Sequence, residues 1–596
     1  MSLIVQKFGG TSVADVEKIR SAARKAILAQ NAGHQVVMVV SAMGKNTDAL
    51  LELARNTARR PPAREMDMLL STGEQVSVAL VAMAIWDQGS QAVSLTGGQI
   101  GVRTDSSFSK ARIQSISTER MQRLLDEGNI VVAAGFQGID EESNITTLGR
   151  GGSDTTAVAL AAVLGADACE IYTDVDGVYT TDPRKLPGAR RVEVVSYDEM
   201  LELASLGAGV MHSRSIEFAK KFGVPIHVRS SFSDIEGTMI VPQGESDTRP
   251  VSGAAMTVDE ARVTVLGVPD RPGVSQRIFQ AIADRKIAVD MVVQNVADDG
   301  RADISFTVPL DELDEALEAI DAIAEQVGAR GITRDADVSK ISVVGSAMAT
   351  QPNVAARMFR ALADGGINIQ MITTSEIKIS TLVRRDDAFE ALRLVHQAFE
   401  LDQRPTDART HDDVSKSSRG DMDMDAVISR LREDALEALT LTNIAVDSTQ
   451  SRITIRKVPD RPGLAAELFE AIGDAGINVD MIVQGFDGDD SSTSVSLTVP
   501  SSEIDAATSV AQKICRQHAM GGVSSDASIA KISVSGIGLR SHTQVGTVLF
   551  EQLAEAGVNV EMISTSELQV NAVVDGDRAE AAEAKLRDAF AADLVQ

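Results

Sequence analysis

The hexapeptide VPDRPG stands at 268–273 and again, unchanged, at 458–463. DMVVQ at 290–294 returns as DMIVQ at 480–484, and ISVVG with TTSE (341–345, 373–376) returns as ISVSG with STSE (532–536, 564–567). The offset is 190 residues from Asp270 to Asp460 and 191 from Glu376 to Glu567. A segment of about 140 residues has therefore been duplicated, and repeats of that length are structured modules, not linkers. Within each copy ADGGINIQMITTSE echoes the earlier ADRKIAVDMVVQN, a weaker halving that makes four units of roughly 70 residues. Each reads as strand, turn, amphipathic helix and two strands; Ile278, Phe279, Ile282 and Ile287 mark one such helix's apolar face. Between the copies, LDQRPTDARTHDDVSKSSRGDMDMD (401–425) is polar and has no apolar period, which predicts a flexible linker.

Residues 1 to about 245 have a different texture. Short β-rich runs alternate with helical patterns, which predicts a mostly parallel sheet covered by helices. Strands are expected at Leu3–Phe8, Gln35–Val40, Ala92–Leu95, Ile130–Ala134, Cys169–Tyr172 and Pro225–Val228. Five of them run into the small or polar loops KFGG, SAMG, TGG, GFQG and TDVDG. In an open α/β sheet such loops share one edge, where ligands sit. At 596 residues with a net charge of -28 and 3% aromatic residues, the chain repels phosphate backbones and offers few stacking rings, so no nucleic-acid partner is expected. The two cysteines, Cys169 and Cys515, form no metal or disulfide pattern. The opening MSLIVQKFGG lacks the pattern of an export signal and no run reaches membrane length, so a cytoplasmic protein without a membrane partner is expected.

TTLGRGGSDTTAVALAAVLGA (146–166) places Arg150, Gly151, Gly152, Ser153 and Asp154 before an apolar helix. Free amides, helix dipole and a planar cation together make an anion site, although Ser153 or Asp154 could simply cap the helix. Lys7 ends the first strand ahead of Gly9-Gly10-Thr11-Ser12, where it can reach phosphate oxygens or can merely guard a sheet edge. No G-x-x-x-x-G-K-[ST] occurs, so the P-loop class is excluded. Ser41 and Thr47 offer hydroxyls at the second strand's mouth, Thr47 also being a candidate helix cap. Glu74 lies within MDMLLSTGEQVSVALVAMAIW, which reads as one buried helix with a mid-helix glycine, Gly73. A buried carboxylate costs several kcal/mol unless it is paired, so Glu74 is either a binding group or half of a structural ion pair. In YTDVDGVYTTDPRK, Thr173, Asp174, Tyr179, Asp182 and Arg184 could line a nucleotide or form a plain turn. No set of residues has metal-ligand spacing, so any metal is expected to arrive with a nucleotide.

KFGGTSV, VVSAMG, MDMLLSTGEQVS, GFQG, TTLGRGGSDTTAVALA and YTDVDGVYTTDPR, in this order and spacing, resemble the amino-acid kinase family and within it the aspartate kinases. The downstream units resemble ACT domains, which bind amino acids in pairs. The resemblance implies an α/β fold: an αβα sandwich with a mostly parallel sheet over 1–245, then ferredoxin-like βαββαβ units over 262–335, 336–400, 441–526 and 527–596, with linker and helix at 401–440. It further implies ATP-dependent phosphorylation of the aspartate β-carboxylate, with Mg2+ accompanying ATP, feeding lysine, threonine and methionine synthesis. Lys7 would bridge the phosphates and the attacking oxygen. Phe8, Gly9, Gly10, Gly151, Gly152, Ser153 and the 173–184 loop would hold the nucleotide. Arg150 would grip the substrate carboxylate, Glu74 and Asp154 would meet its ammonium or order the site, and Ser41 and Thr47 would complete it. Lysine or threonine would bind between paired ACT units at Asp270 and Gln294, with Asn368 of the neighbouring unit, and at their counterparts Asp460, Gln484 and Asn559. Gly485 stands where the first copy has Asn295, which sets the two sites apart. Pairing of ACT edges between chains would make a homo-oligomer. A kinase of another small acid, or a catalytically inert amino-acid sensor, are the rival readings.

Overall fold

The computed structural model describes residues 2–207, 209–296, 300–348, 351–417, 436–486, 492–540, 542 and 544–595. They fall into two units: one of 1–179, 191–246 and 407–438, the other of 180–190, 247–406 and 439–596.

In the first unit the elements run β1 (Leu3–Phe8), α1 (Val16–Asn31), β2 (Gln35–Val40), α2 (Asn46–Thr57), α3 (Ala63–Leu70), α4 (Thr72–Asp87), β3 (Ala92–Leu95), β4 (Val102–Thr104), β5 (Ile113–Ile116), α5 (Glu119–Asp126) and β6 (Ile130–Ala134). There follow β7 (Gln137–Ile139), β8 (Ile145–Thr147), α6 (Gly152–Leu164), β9 (Ala168–Thr173), β10 (Val194–Ser196), α7 (Tyr197–Ser205), α8 (Ser213–Phe222), β11 (Ile226–Ser230) and β12 (Thr238–Val241). Eight strands form the main sheet in the order β10-β12-β11-β9-β1-β2-β6-β3. Its six strands from β11 to β3 are all parallel, and β12 runs antiparallel to β11. The central runs β2 and β6 are almost wholly apolar and have no exposed residue, as a sheet buried on both faces requires, and Phe8, Met38, Val78, Ile85 and Val132 share one core. Cys169 and Cys515 are buried free thiols.

The chain leaves β1 toward β2 on one side and returns to pair β9 on the other, so the topological switch falls at β1. The stretch read as one buried helix is two, because Ser71 separates α3 from α4. Gly73 is thus in the first turn of α4, where a Cβ would stand 2.8 Å from the Ala42 Cβ; its helix cost is that of a close approach to the SAMG loop. Nor is the stretch wholly buried, since Met68, Val76, Leu80, Met83 and Trp86 are exposed. Contrary to expectation, Ala63–Asp87 reaches the length and hydropathy of a membrane span, but half of it is buried within the molecule, as in a core helix.

The segment read as a flexible linker is docked where it is described. Arg409 donates to the Gly244 carbonyl at 2.6 Å, His411 meets the Glu193 carbonyl at 3.0 Å, and Val414 is buried with Val194 and Val241. A few apolar and polar anchors suffice to hold a strap whose composition shows no periodicity.

The second unit contains the four repeats. A ten-stranded sheet runs, in order, through Asp290–Val296, Arg301–Pro309, Gly253–Pro269, Gly331–Val344, Lys378–Arg384, Met371–Thr374, Ile482–Phe486, Ser492–Pro500, Gln450–Pro459 and Val523–Asp526. A four-stranded sheet contains Thr440–Asp447, Ile529–Ile537, Gln569–Asp575 and Val560–Thr565. The long strand Gly253–Pro269 serves two repeats, pairing Gly253–Thr257 with the second and Glu260–Pro269 with the first. The second repeat joins the third through antiparallel pairing of Ile372 with Gln484 and Thr373 with Val483. The first packs on the fourth, with the Phe279 and Phe550 rings stacked at 5.4 Å in a shared core. At the centre Met291, Met371, Met481 and Met562, one from the same position of each repeat, are buried together with Val293, Val338, Leu382 and Val483. The flexible, polarizable thioether fills such an irregular four-way junction.

Candidate active site and effector sites

Register places the carboxyl ends of β1, β2 and β9 side by side: Phe8 lies opposite Val40 and Tyr172. The KFGG, SAMG and TDVDG loops therefore share one edge. The Gly9 amide donates to the Tyr172 carbonyl at 3.3 Å, the Ser41 amide to Phe8 at 3.1 Å and the Gly44 amide to Gly10 at 2.9 Å, which binds the three loops together. Into this mouth Lys7 extends its ammonium to 2.6 Å from Asp154 in the first turn of α6, both side chains being largely buried.

The start of α6 is capped by Gly151, which sits at φ 70° and makes no side-chain cap. The alternative in which Ser153 or Asp154 caps the helix is thus overturned: Asp154 is committed to Lys7. The Ser153 and Asp154 amides have no acceptor among the described residues and remain available to an anion. A side chain at Gly151 would meet His212, its Cβ 2.2 Å from the histidine's, so this glycine is required both by backbone conformation and by space. Arg150 is exposed and has no hydrogen bond or ion pair among the described residues.

Glu74 is 3% exposed, and its Oε1 accepts the Ala42 amide at 3.1 Å while Oε2 has no partner. Burial pushes its carboxyl up to about 7, only partly offset by the amides it accepts. Among the described residues Glu74 has no ion-pair partner. The GFQG loop ties the two walls of the pocket: the Phe136 amide donates to Thr156 of α6 at 3.2 Å and the Gln137 amide group to the Ser71 carbonyl at 2.9 Å.

Other expected residues are engaged as follows. The Phe8 ring is 1% exposed and stacks on Tyr172 at 4.7 Å, so only its backbone faces the site. Thr47 is inside α2, whose N-cap is Lys45, and is not the cap it could have been. Thr173 donates to Asp174 at 3.2 Å, and Tyr179 bridges Arg191. Asp182 and Arg184 belong to the second unit and pair with each other through two bonds of 3.0 Å. Arg184 holds the Asp182 carboxyl below its usual range. Asp67 escaped the sequence reading. Fully buried, it accepts the Ser109 and Thr147 amides at 2.9 and 2.8 Å and both their hydroxyls, fastening α3 to β8.

The effector residues assemble differently from expectation. Asn368 donates to Asp460 at 2.7 Å and Asn559 to Asp270 at 2.7 Å. Gln294 donates to the Val560 carbonyl at 2.9 Å, and Gln484 to that of Ile369 at 3.3 Å. Each site thus crosses the duplication, joining repeat one to four and repeat three to two, and the same-copy grouping is corrected. The physical reason is that the edges of near-identical repeats offer the same hydrogen-bonding rows, so pattern alone cannot choose between partners. The ACT edges expected to join chains are used here inside one chain. The site at Asp460 also holds Arg461, Gly463, Gln484 and Met520 around a cavity of about 20 Å³. A hollow of about 270 Å³ lies on the reciprocal face of the same pair, at Asn353, Glu376 and Asn478. Gly485 pairs with Ser494, whereas the Asn295 side chain lies outside the described residues.

Comparison with known proteins agrees with this geometry. The amino acid kinase family profile matches residues 2–230, and the ACT domain profile matches 263–322, 341–399, 456–513 and 532–590. An aspartokinase of Thermus thermophilus is 49% identical over 405 residues, 68% of this chain and 100% of that one. An aspartate kinase of Pseudomonas putida is 50% identical over 404 residues, covering 67% of this chain and 98% of its own. The crystal structure of aspartate kinase from Synechocystis matches with a TM-score of 0.53 at 39% identity, across 100% of this chain and 99% of that one. The chain belongs to the aspartate kinases, with an amino-acid kinase unit followed by four ACT domains.

Proposed function

We propose that the first unit transfers the γ-phosphoryl group of ATP to the β-carboxylate of L-aspartate. The product, 4-phospho-L-aspartate, would enter lysine, threonine and methionine synthesis, with lysine, threonine or both inhibiting through the ACT pairs. The observation that carries the catalytic reading is the Lys7–Asp154 contact at the open mouth of α6, in the same loop edge as the buried, unpaired Glu74. Escherichia coli aspartokinase III has been solved with aspartate and ADP and with lysine and aspartate, ligands of the classes proposed here.

The acceptor needs no general base, because a carboxylate with an ordinary pKa of about 3.9 is already ionised at neutral pH. Catalysis then consists of bringing two anions together and neutralising the group in transit. Asp154 holds the Lys7 ammonium at the end of β1, where it would bridge phosphate and acceptor oxygens. The amides of Ser153 and Asp154 add donors, Arg150 would take a carboxylate and Glu74 the ammonium. Among the described residues no three His, Cys, Asp or Glu could hold a metal ion, so magnesium fits as a companion of the nucleotide's phosphates, whose charge it would neutralise. Lys7 and the Gly9-Gly10 turn would hold those phosphates.

At the Asp460 site the cavity of about 20 Å³ has room for a single water and not for an amino acid. An amino acid must therefore part Asn368 from Asp460, replacing their hydrogen bond with its own ammonium and carboxylate. Such a separation changes how repeats two and three pack, which couples occupancy to shape.

Steady-state ADP release with aspartate, glutamate, acetylglutamate and nucleoside monophosphates as acceptors tests the reading, with lysine and threonine added separately and together. Turnover confined to aspartate is expected. Turnover on another acceptor alone would overturn the substrate assignment, and rates indifferent to both amino acids at millimolar levels would overturn the regulatory one.

A further inference from the structure

The buried cluster around Arg214 has no place in the chemistry described above. Arg214, in the first turn of α8, is 16% exposed and spends its guanidinium on three things at once. It donates to the Leu148 carbonyl, just ahead of Arg150 and Gly151, and to the Ala111 carbonyl at 2.6 Å. It also forms a forked pair with Glu437, its Nε lying 2.7 Å from Oε1. Glu437 does not come from the kinase fold proper. It sits at the end of the strap that connects the two ACT copies, where the Leu436 and Glu437 amides donate to Gln114 and Ile113 at 3.2 Å and Ile113 returns its amide to the Glu437 carboxylate at 2.6 Å. Leu436 is 1% exposed, and Lys221 holds the Ala438 carbonyl at 3.0 Å.

We propose that Arg214, held in place by Glu437 of the strap, is a positioning residue for the Leu148–Gly152 loop and so for the grip of Arg150 on the substrate. The proposal rests on Arg150 being a substrate ligand. A planar guanidinium with its fork filled by a carboxylate has its remaining N–H groups aimed in fixed directions, and here they aim at two loop carbonyls. His212, two residues earlier, packs on Gly151 and so braces the same loop from the α8 side. Arg112 shares the Glu437 charge: burial depresses its affinity for a proton, and Glu437 opposes that while Arg214 adds to it. Removing the Glu437 charge would take away the carboxylate that Arg214 and Arg112 share, leaving Asp105 and Glu217 as the carboxylates acting on Arg112 and the Arg214 fork without its ion-pair partner. Because Arg214 grips Leu148 directly, any shift of its guanidinium passes to the loop.

The test is a split between KM and kcat in the full-length enzyme. Glu437→Gln preserves shape and removes the charge; it should raise the KM for aspartate about tenfold, as a displacement under 1 Å can do, with ATP KM and kcat within about twofold of wild type. Arg112→Gln placed on that background should recover part of the aspartate KM, because it removes the like charge that acts on Arg214. Arg150→Ala is the control and should raise the aspartate KM by itself. An unchanged aspartate KM in Glu437→Gln beside a raised one in Arg150→Ala overturns the positioning role alone. A parallel fall in kcat and both affinities with a lowered melting temperature, unrelieved by Arg112→Gln, also overturns it, as general loosening. No effect of Arg150→Ala overturns the substrate role of Arg150, and this inference with it.

Discussion

The kinase mouth and the paired ACT sites both bind small zwitterions in the reading above, yet they are built on different physics. At the kinase mouth, charge is kept buried and unsettled. Lys7 and Asp154 hold one another, and Glu74 remains without a cation in a place that pushes its carboxyl up to about 7. At the ACT sites the aspartate is met by neutral amides, with an asparagine satisfying it across the interface. A site that must neutralise a moving phosphoryl group needs preorganised charge, which costs stability. A site that only senses needs a contact that a ligand can replace at small net cost.

Four measurements can break or sharpen this contrast. The largest effect is expected from Lys7→Ala, which should lower kcat on the order of 10² to 10³-fold, the range for loss of a donor aimed at developing charge. Calorimetric titration with lysine or threonine should remain unaltered, because the effector residues lie in the second unit. Loss of effector binding in this variant would erase the separation between the two kinds of site.

Glu74→Gln should weaken aspartate binding by about tenfold or more while raising the melting temperature at neutral pH. The folded-state pKa is raised above the ordinary 4.5, so the protonated form is favoured by folding; stability falls as pH rises from about 4.5 to 7, and above 7 the ionised group costs roughly 3 kcal/mol. Glutamine removes that cost and can keep the Ala42 bond. The same pKa predicts that wild-type kcat/KM for aspartate falls below about pH 7 as Glu74 loses the charge that meets the ammonium. A variant less stable than wild type, or a flat profile between pH 5.5 and 8, contradicts this account.

Third, a double-mutant cycle tests the crossing of the repeats. Asn368→Ala and Asp460→Asn should couple by about 1 kcal/mol in effector affinity or stability, whereas Asn368→Ala and Asp270→Asn should add. Coupling of the second pair alone would restore the same-copy arrangement.

The smallest effect separates the two ACT sites from one another. Gln294 Oε1 accepts the Ser275 hydroxyl at 3.0 Å, but the corresponding residue in the other copy is Ala465, and Gln484 Oε1 is buried without a partner. The site at Asp460 therefore has a spare acceptor for a ligand donor. Ser275→Ala should free the equivalent oxygen and shift the ligand preference of the Asp270 site toward that of the Asp460 site by a factor of about three to five, one neutral hydrogen bond. Unchanged preference would place selectivity elsewhere, at Gly485 for example.

What could be read along the chain were features whose cause is local. Strand after strand of the first unit lies within two residues of its expected bounds, because an apolar run closed by glycine or a polar loop has few other uses in an α/β sheet. The four repeats, the Lys7–Asp154 contact, the burial of Glu74 and the glycine-led start of α6 follow from the same local logic. Several matters were left to the folded molecule. Ser71 breaks the long apolar helix. Asp67 is fully spent on two loops, and Asp182 and Arg184 take each other as partners. The polar strap lies down on the kinase fold, and Asp270 meets Asn559, not Asn368. Periodicity and turn chemistry depend on a handful of neighbours in sequence, and so they are written there. The choice among chemically equivalent edges, and the partner of a buried charge, is made by what else must pack at the same place, and only the tertiary structure holds that information.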